Sequence, residues 1–231
     1  DDPRYINWQA YARTGAYTMK LYREEVSPAV DLAVDLSPSM FVDEVKAART
    51  AELLYWAVEC AVQSGASLRC FVLHPERAEP LALESILGHS WMQTGTTPGA
   101  ESARRVPWRH GSMRVFLSDL LWPGDAQAVF QSLSDFRGHG VVLAPFCAEE
   151  AEPAWNGNLE MLDCESTAIR HQRIDASAME RYRAAYHRHF DAWEQQSLRY
   201  RTPLARISAT PDLAESLRPH LAGSGAVEWA E

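Results

Sequence analysis

Ala29-Val30-Asp31-Leu32-Ala33-Val34-Asp35-Leu36-Ser37-Pro38-Ser39-Met40 is the stretch on which the fold turns. Its first half, Ala29 to Val34, is apolar and strand-like, and its second half places Asp35, Ser37 and Ser39 at alternate positions. In extended chain, side chains two residues apart point the same way, so three oxygens can converge on one point just past the strand. The carboxyl ends of the strands are where open α/β sheets bind ligands. One carboxylate and two neutral hydroxyls suit a hard cation such as Mg²⁺ or Mn²⁺, which keeps waters or exogenous oxygen ligands. So few protein charges leave the ion electrophilic toward a partner's carboxylate. The competing reading is a Ser/Pro turn that caps the next helix.

Working outward, the pattern alternates strands and helices. Tyr17 to Glu25 alternates as a strand, and Pro28 introduces the buried strand Ala29–Val34. Val42 to Gln63 reads as a long helix, with Val45, Ala48, Leu53, Trp56 and Cys60 at near-helical spacing and Gly65 as its stop. Ser67–Leu73 is a second buried strand, and a short strand and helical turn fit Pro80–Leu87. Residues 93 to 112 are polar and aperiodic, and we expect a long loop there, the least ordered internal segment. Met113–Leu117 is a third buried strand, Asp125 to Phe136 a helix and Gly140–Phe146 a fourth strand. Asn158–Asp163 with Ala168–Ile174 reads as a hairpin, Ser177 to Ser197 as the second long helix and Pro203–Ser208 as a last strand. Thr210 is placed as the N-cap of a final helix, with Pro211 at its first position. Such alternation predicts a largely parallel sheet covered on both faces, with Val34, Leu117 and Val142 on central strands. No repeat or linker divides the 231 residues, which are read as one domain.

The strand Met113–Leu117 supplies the second piece of chemistry. Ser118-Asp119 follows it as Asp35 follows Ala29–Val34. If the two strands are parallel and adjacent, both carboxylates meet at one sheet edge. Taken alone, Asp119 is equally a turn cap beside Pro123.

The balance of 22 basic against 31 acidic side chains, a net charge of −9, argues against general nucleic-acid or membrane-surface binding, which needs a basic field. No apolar run approaches the length of a membrane span. Cys60, Cys70, Cys147 and Cys164 show no C-x-x-C spacing and fit free thiols in a reducing cytoplasm. A cytoplasmic location is therefore expected. The chain starts at Asp1 rather than Met, so we also expect a fragment or a processed start, with room for an anchor upstream.

Asp35-x-Ser37-x-Ser39 after one strand, with Ser118-Asp119 after a later one, resembles the metal-ion-dependent adhesion site of von Willebrand factor A domains. Asp1-Asp2-Pro3-Arg4-x-Ile6-Asn7-Trp8, Tyr11-Ala12-Arg13-Thr14-Gly15 and Arg23-Glu24-Glu25 precede that motif. Asp163-Cys164-Glu165-Ser166, Ile174-Asp175 and a Tyr-rich helix follow it. This order is similar to the bacterial "domain of unknown function 58" family, a variant of the von Willebrand A fold encoded beside MoxR-type AAA+ ATPases. The family pattern has Asp where this chain has Asn7.

The resemblance implies a von Willebrand factor A-like, Rossmann-like three-layer α/β sandwich over residues 1–231, with residues 1–28 as a family-specific extension packed on it. It implies Asp35, Ser37, Ser39 and Asp119 as metal residues, holding Mg²⁺ or Mn²⁺ weakly. The Thr that such domains add is sought at Thr94, Thr96 or Thr97, with Thr96 and Thr97 preferred. The implied partners are a MoxR-type AAA+ ATPase and a client protein, in assembly or maturation of other proteins, without nucleic acid or membrane insertion.

Other constellations are structural. Met179, Tyr182, Tyr186, Phe190 and Trp193 recur as a helix core stripe. Arg181, Arg183, His187 and Arg188 decorate other faces of that helix, solvated or open to an acidic partner, and His187 and His189 cannot act as joint ligands. No H-E-x-x-H, G-x-S-x-G or phosphate loop occurs, and no His near Ser37 in sequence marks it as a nucleophile. Two function classes remain: a non-enzymatic, cation-dependent protein-binding module, and a metal-assisted hydrolase or phosphatase using Asp35 and Asp119.

Overall fold

The computed structural model describes residues 8–16, 28–91, 97–122, 124–210 and 212–221. A six-stranded sheet forms its centre in the order β3-β2-β1-β4-β5-β8. The strands are β1 (Ala29–Val34), β2 (Ser67–Leu73), β3 (Ala78–Leu81), β4 (Met113–Leu117), β5 (His139–Phe146) and β8 (Leu204–Ser208). Every pairing is parallel except that of the edge strand β3 with β2. A separate antiparallel hairpin consists of β6 (Gly157–Leu162) and β7 (Ile169–Ile174). The helices are α1 (Trp8–Thr14), α2 (Glu44–Gln63), α3 (Leu83–Leu87), α4 (Ala126–Ser134), α5 (Ala148–Ala151), α6 (Ala176–Tyr200) and α7 (Leu213–Leu221).

The period of two along β1 explains the three layers. Val30, Leu32 and Val34 enter one core with Leu53, Leu54, Ala57 and Val58 of α2 and Leu217 and Leu221 of α7. Ala33 faces the other way, into a core with Val129, Phe130 and Leu133 of α4 and Tyr186, Phe190 and Trp193 of α6. With helices on both faces of a mostly parallel sheet, the chain has the three-layer α/β architecture that its alternation predicts, which fits the von Willebrand factor A-like, Rossmann-like fold that the resemblance implies. Val34 pairs with Val72 on one side and Leu117 on the other, and Val142 lies on the adjoining β5, so all three are on central strands.

Caps set the helix bounds. Asp43 accepts from the Lys46 amide at 2.8 Å to begin α2, and Gly65 turns left-handed (φ 68°) just past its end. Asp175 accepts from the Ala178 amide at 2.8 Å to begin α6. For the last helix it is Asp212, not Thr210, that accepts from the Ala214 and Glu215 amides, because the helix starts at Leu213. Pro211 lies outside the described residues, as do Tyr17 to Glu25 and most of the expected N-terminal extension.

Two further expectations need correction. The buried stripe of α2 is Lys46, Arg49, Thr50, Leu53, Leu54, Ala57, Val58 and Ala61, while Val45 and Cys60 are exposed. The apolar pattern misleads here because two charged side chains occupy core-facing positions. Within 97–112 the chain is not a featureless loop. Ala100–Arg105 forms a 3₁₀ turn, and Ala103 and Val106 are buried in the α4–α6 core. All four cysteines are free thiols. No described helix is long and apolar enough to cross a membrane.

Candidate metal centre

Parallel pairing of β1 with β4 brings the two candidate loops to the same, carboxyl, edge of the sheet. The Asp35 amide continues the ladder, donating to the Leu117 carbonyl at 2.8 Å, and the Ser118 amide donates to Leu143 at 3.2 Å. The Asp119 amide contacts the Met40 sulfur at 3.1 Å, tying one loop to the other.

Asp35 is fully buried. Its Oδ1 accepts from the Ser37 amide at 2.9 Å, and its Oδ2 from the Ser118 hydroxyl at 2.7 Å and the Trp122 indole N–H at 3.1 Å. All three donors are neutral. Burial, with the charge of Asp119 added, pushes the carboxyl up to about 6 against these hydrogen bonds.

Ser37 and Ser39 leave the alternatives of turn and ligand distinguishable. Pro38–Phe41 is a 3₁₀ turn with Ser37 at its N-cap position, yet the Ser37 side chain makes no capping bond. Its hydroxyl is hydrogen-bonded to that of Ser39 at 3.1 Å. Two oxygens in adjacent positions on an octahedral Mg²⁺ lie about 3 Å apart, given bonds of about 2.1 Å.

Asp119 is only partly what its position suggests. Its Oδ1 accepts from the Leu121 amide at 3.1 Å, a local turn, and its Oδ2 accepts from the Lys46 ammonium at 2.8 Å. Lys46, fully buried, also donates to Glu150 of α5 at 2.5 Å. Burial works against the charge on Lys46, but Asp119 and Glu150 outweigh it and hold the ammonium above its ordinary pKa. Glu150 is raised as well, although Lys46 opposes the shift. Burial raises it, and Asp119 adds to the effect because one cation is shared between two carboxylates. The turn after Asp119 is strained: Leu120, buried, sits at φ 64°, held by the Ser118 hydroxyl on its amide and His189 Nε2 on its carbonyl at 2.7 Å.

Thr97 is the one candidate threonine that is described; Thr94 and Thr96 lie outside the described residues. Its hydroxyl donates to Oε2 of Glu165, whose Oε1 accepts from the Ser39 amide at 3.0 Å. The structure thus brings Asp35, Ser37, Ser39, Thr97 and Asp119 to one sheet edge, with Lys46, Glu150 and Glu165 added. Sequence reasoning missed these three. Lys46 had a signal, a cation at a core-facing helix position. Glu150 and Glu165 reach the site through contacts spanning 104 and 126 residues, which no local pattern encodes.

Among the described residues no three His, Cys, Asp or Glu side chains form a group that could hold a metal ion. A centre here would be built on hydroxyls. The residues fit one. Lys46 is shared between Asp119 and Glu150, Asp35 and Glu165 add two further carboxylates at this edge, and the hydrogen-bonded hydroxyl pair has a spacing that octahedral coordination allows.

No family model matches the chain, and no curated protein matches it. Among solved structures it is similar to the conserved hypothetical protein BatB from Bacteroides thetaiotaomicron. That match has 11% identity and a TM-score of 0.46, covering 87% of this chain and all of that one. It is also similar to an aerotolerance-related membrane protein from Bacteroides fragilis, at 14% identity and a TM-score of 0.34, covering 74% and 96% of the two chains. The fold assignment rests on the strand order and the helices on both faces.

Proposed function

We propose that the chain is a non-enzymatic, divalent-cation-dependent protein-binding module, acting with a MoxR-type AAA+ ATPase in the assembly or maturation of other proteins. The observation that carries the cation part is the Ser37–Ser39 hydroxyl pair, 3.1 Å apart and free of capping duty, beside a buried Asp35 with only neutral donors. Ser37, Ser39 and Thr97 would hold a Mg²⁺ directly, with Asp35 supplying the buried negative charge behind them. When bound, the ion supplies an electrophilic position for an acidic side chain of the partner.

Asp119 plays a different part from the one its place after the strand implies. With Lys46 on its Oδ2, it balances charge at the site rather than offering a free carboxylate. The same engagement disfavours the hydrolase alternative, which needs Asp119 and a general acid–base group beside the ion. His189 directs its Nε2 to the Leu120 carbonyl and is committed to the turn. The ATPase partnership rests on the resemblance of the N-terminal and Asp163–Ser166 blocks. Calorimetric titration of the chain with a MoxR-type AAA+ ATPase, in Mg²⁺ and in EDTA, tests it. Binding should require Mg²⁺ and be lost in Asp35→Ala. Equal affinity in both buffers would place the interface elsewhere.

A further inference from the structure

The β6–β7 hairpin forms its own two-stranded sheet, and eight of its twelve strand residues are exposed. β7 buries only Ile174, and β6 alternates half-buried with exposed positions. Between Leu162 and Arg173 the half-buried residues are Cys164 and Glu165 alone, at the tip. Asp163 builds that tip by accepting from the Glu165 amide at 2.9 Å and the Ser166 amide at 3.2 Å. The tip lies against the site through Glu165, whose two oxygens take the Ser39 amide and the Thr97 hydroxyl.

We propose that Glu165 is an intrinsic ligand of the metal centre, holding its carboxylate where a partner's acidic side chain would bind. The inference rests on the cation-dependent reading above and adds regulation to it. A hydroxyl that donates its proton to Glu165 keeps its lone pairs for a cation, so Thr97 can serve both at once. One carboxylate replaces another when the partner arrives, so the charge at the ion does not change. Among the described residues these polar contacts are what ties the tip to the site, and residues 166–173 are exposed. The hairpin is therefore a strap that a competing carboxylate can displace. The free module is self-liganded, and it discriminates against weak acidic ligands.

Mn²⁺ alone is the probe, with free Mn²⁺ read by electron paramagnetic resonance and bound water by proton relaxation. The full chain is compared with Glu165→Ala and Glu165→Gln. The Gln variant keeps the shape of the tip, so a shared effect reports the lost carboxylate and not a lost fold. Both variants should bind Mn²⁺ at least about tenfold more weakly, with relaxation per bound ion raised by one coordinated water. Acetate should reverse that rise in both variants and leave the native chain unaffected at the same concentration. Equal affinity and relaxation in all three proteins would overturn the role of Glu165 while leaving the metal centre standing. No Mn²⁺ retained by the native chain would overturn both.

Discussion

Lys46→Met removes an ammonium and keeps a stem of similar length, so it isolates the charge at the heart of the site. Asp119 and Glu150, with side chains 1% and 16% exposed, would then face each other without a cation. Breaking a buried ion pair costs about 3–5 kcal/mol, because the surviving charge stays desolvated and unpaired. Glu150 gives part of this back by taking up a proton, since burial already raises it. We therefore expect a loss of about 3 kcal/mol at pH 7.5. A carboxyl whose folded pKa lies above its unfolded one is destabilising when ionised, and that cost fades as pH falls through the folded value. The loss should thus be smaller at pH 5.5 than at pH 7.5. Adding Glu150→Gln to Lys46→Met should recover about 1–2 kcal/mol at pH 7.5 by removing one orphaned charge. Urea denaturation followed by tryptophan fluorescence measures all of these. A loss under about 1 kcal/mol at both pH values would refute the buried bridge as a determinant of the site.

Asp35 gives a second pH effect. With its pKa at about 6 against an ordinary 3.8, its ionised form costs about 3 kcal/mol at pH 7.5 and about 2 kcal/mol at pH 5.5. Urea denaturation in EDTA should show that increment in the native chain and not in Asp35→Asn. Mg²⁺ selects the ionised form, so its affinity should fall below about pH 6, as calorimetry would show. Asp31, by contrast, is a fold determinant. It accepts from Arg69 at 2.9 and 3.1 Å and from the Arg109 amide and Nε at 2.7 and 2.8 Å. Despite burial, these partners hold it below the usual carboxylate range, so its stabilisation is present above pH 4 and lost as pH falls through the folded value. Asp31→Asn should cost about 2–4 kcal/mol in urea yet leave Mg²⁺ affinity unchanged, because it lies about 13 Å along β1 from Asp35.

The sheet was legible because its strands are buried on both faces and announce themselves as apolar runs: Leu32 to Val34, Val115 to Leu117, Val141 to Ala144. Asp35, Ser37 and Ser39 were legible because they are local, three residues within one loop. Pairing of Asp35 with Asp119 followed from topology, once both strands were read as parallel neighbours. The stripe of α2 was misread because Lys46 and Arg49 look like surface residues, and only the carboxylates of other elements explain why a buried ammonium is tolerated. The segment before β4 read as loop because its buried anchors, Ala103 and Val106, are two small side chains in a polar run. Glu165 belongs to the Asp163–Ser166 block that carries the family resemblance, but its contact with Ser39 exists only in three dimensions.

The most direct test of the central claim is an anomalous difference map at the manganese edge from crystals grown with Mn²⁺. A single peak about 2.1–2.3 Å from the Ser37 and Ser39 hydroxyls, absent in Ser37→Ala, is the expected result. No peak at this sheet edge, at an Mn²⁺ concentration that saturates solution binding, would contradict it and leave Asp35-x-Ser37-x-Ser39 a structural turn.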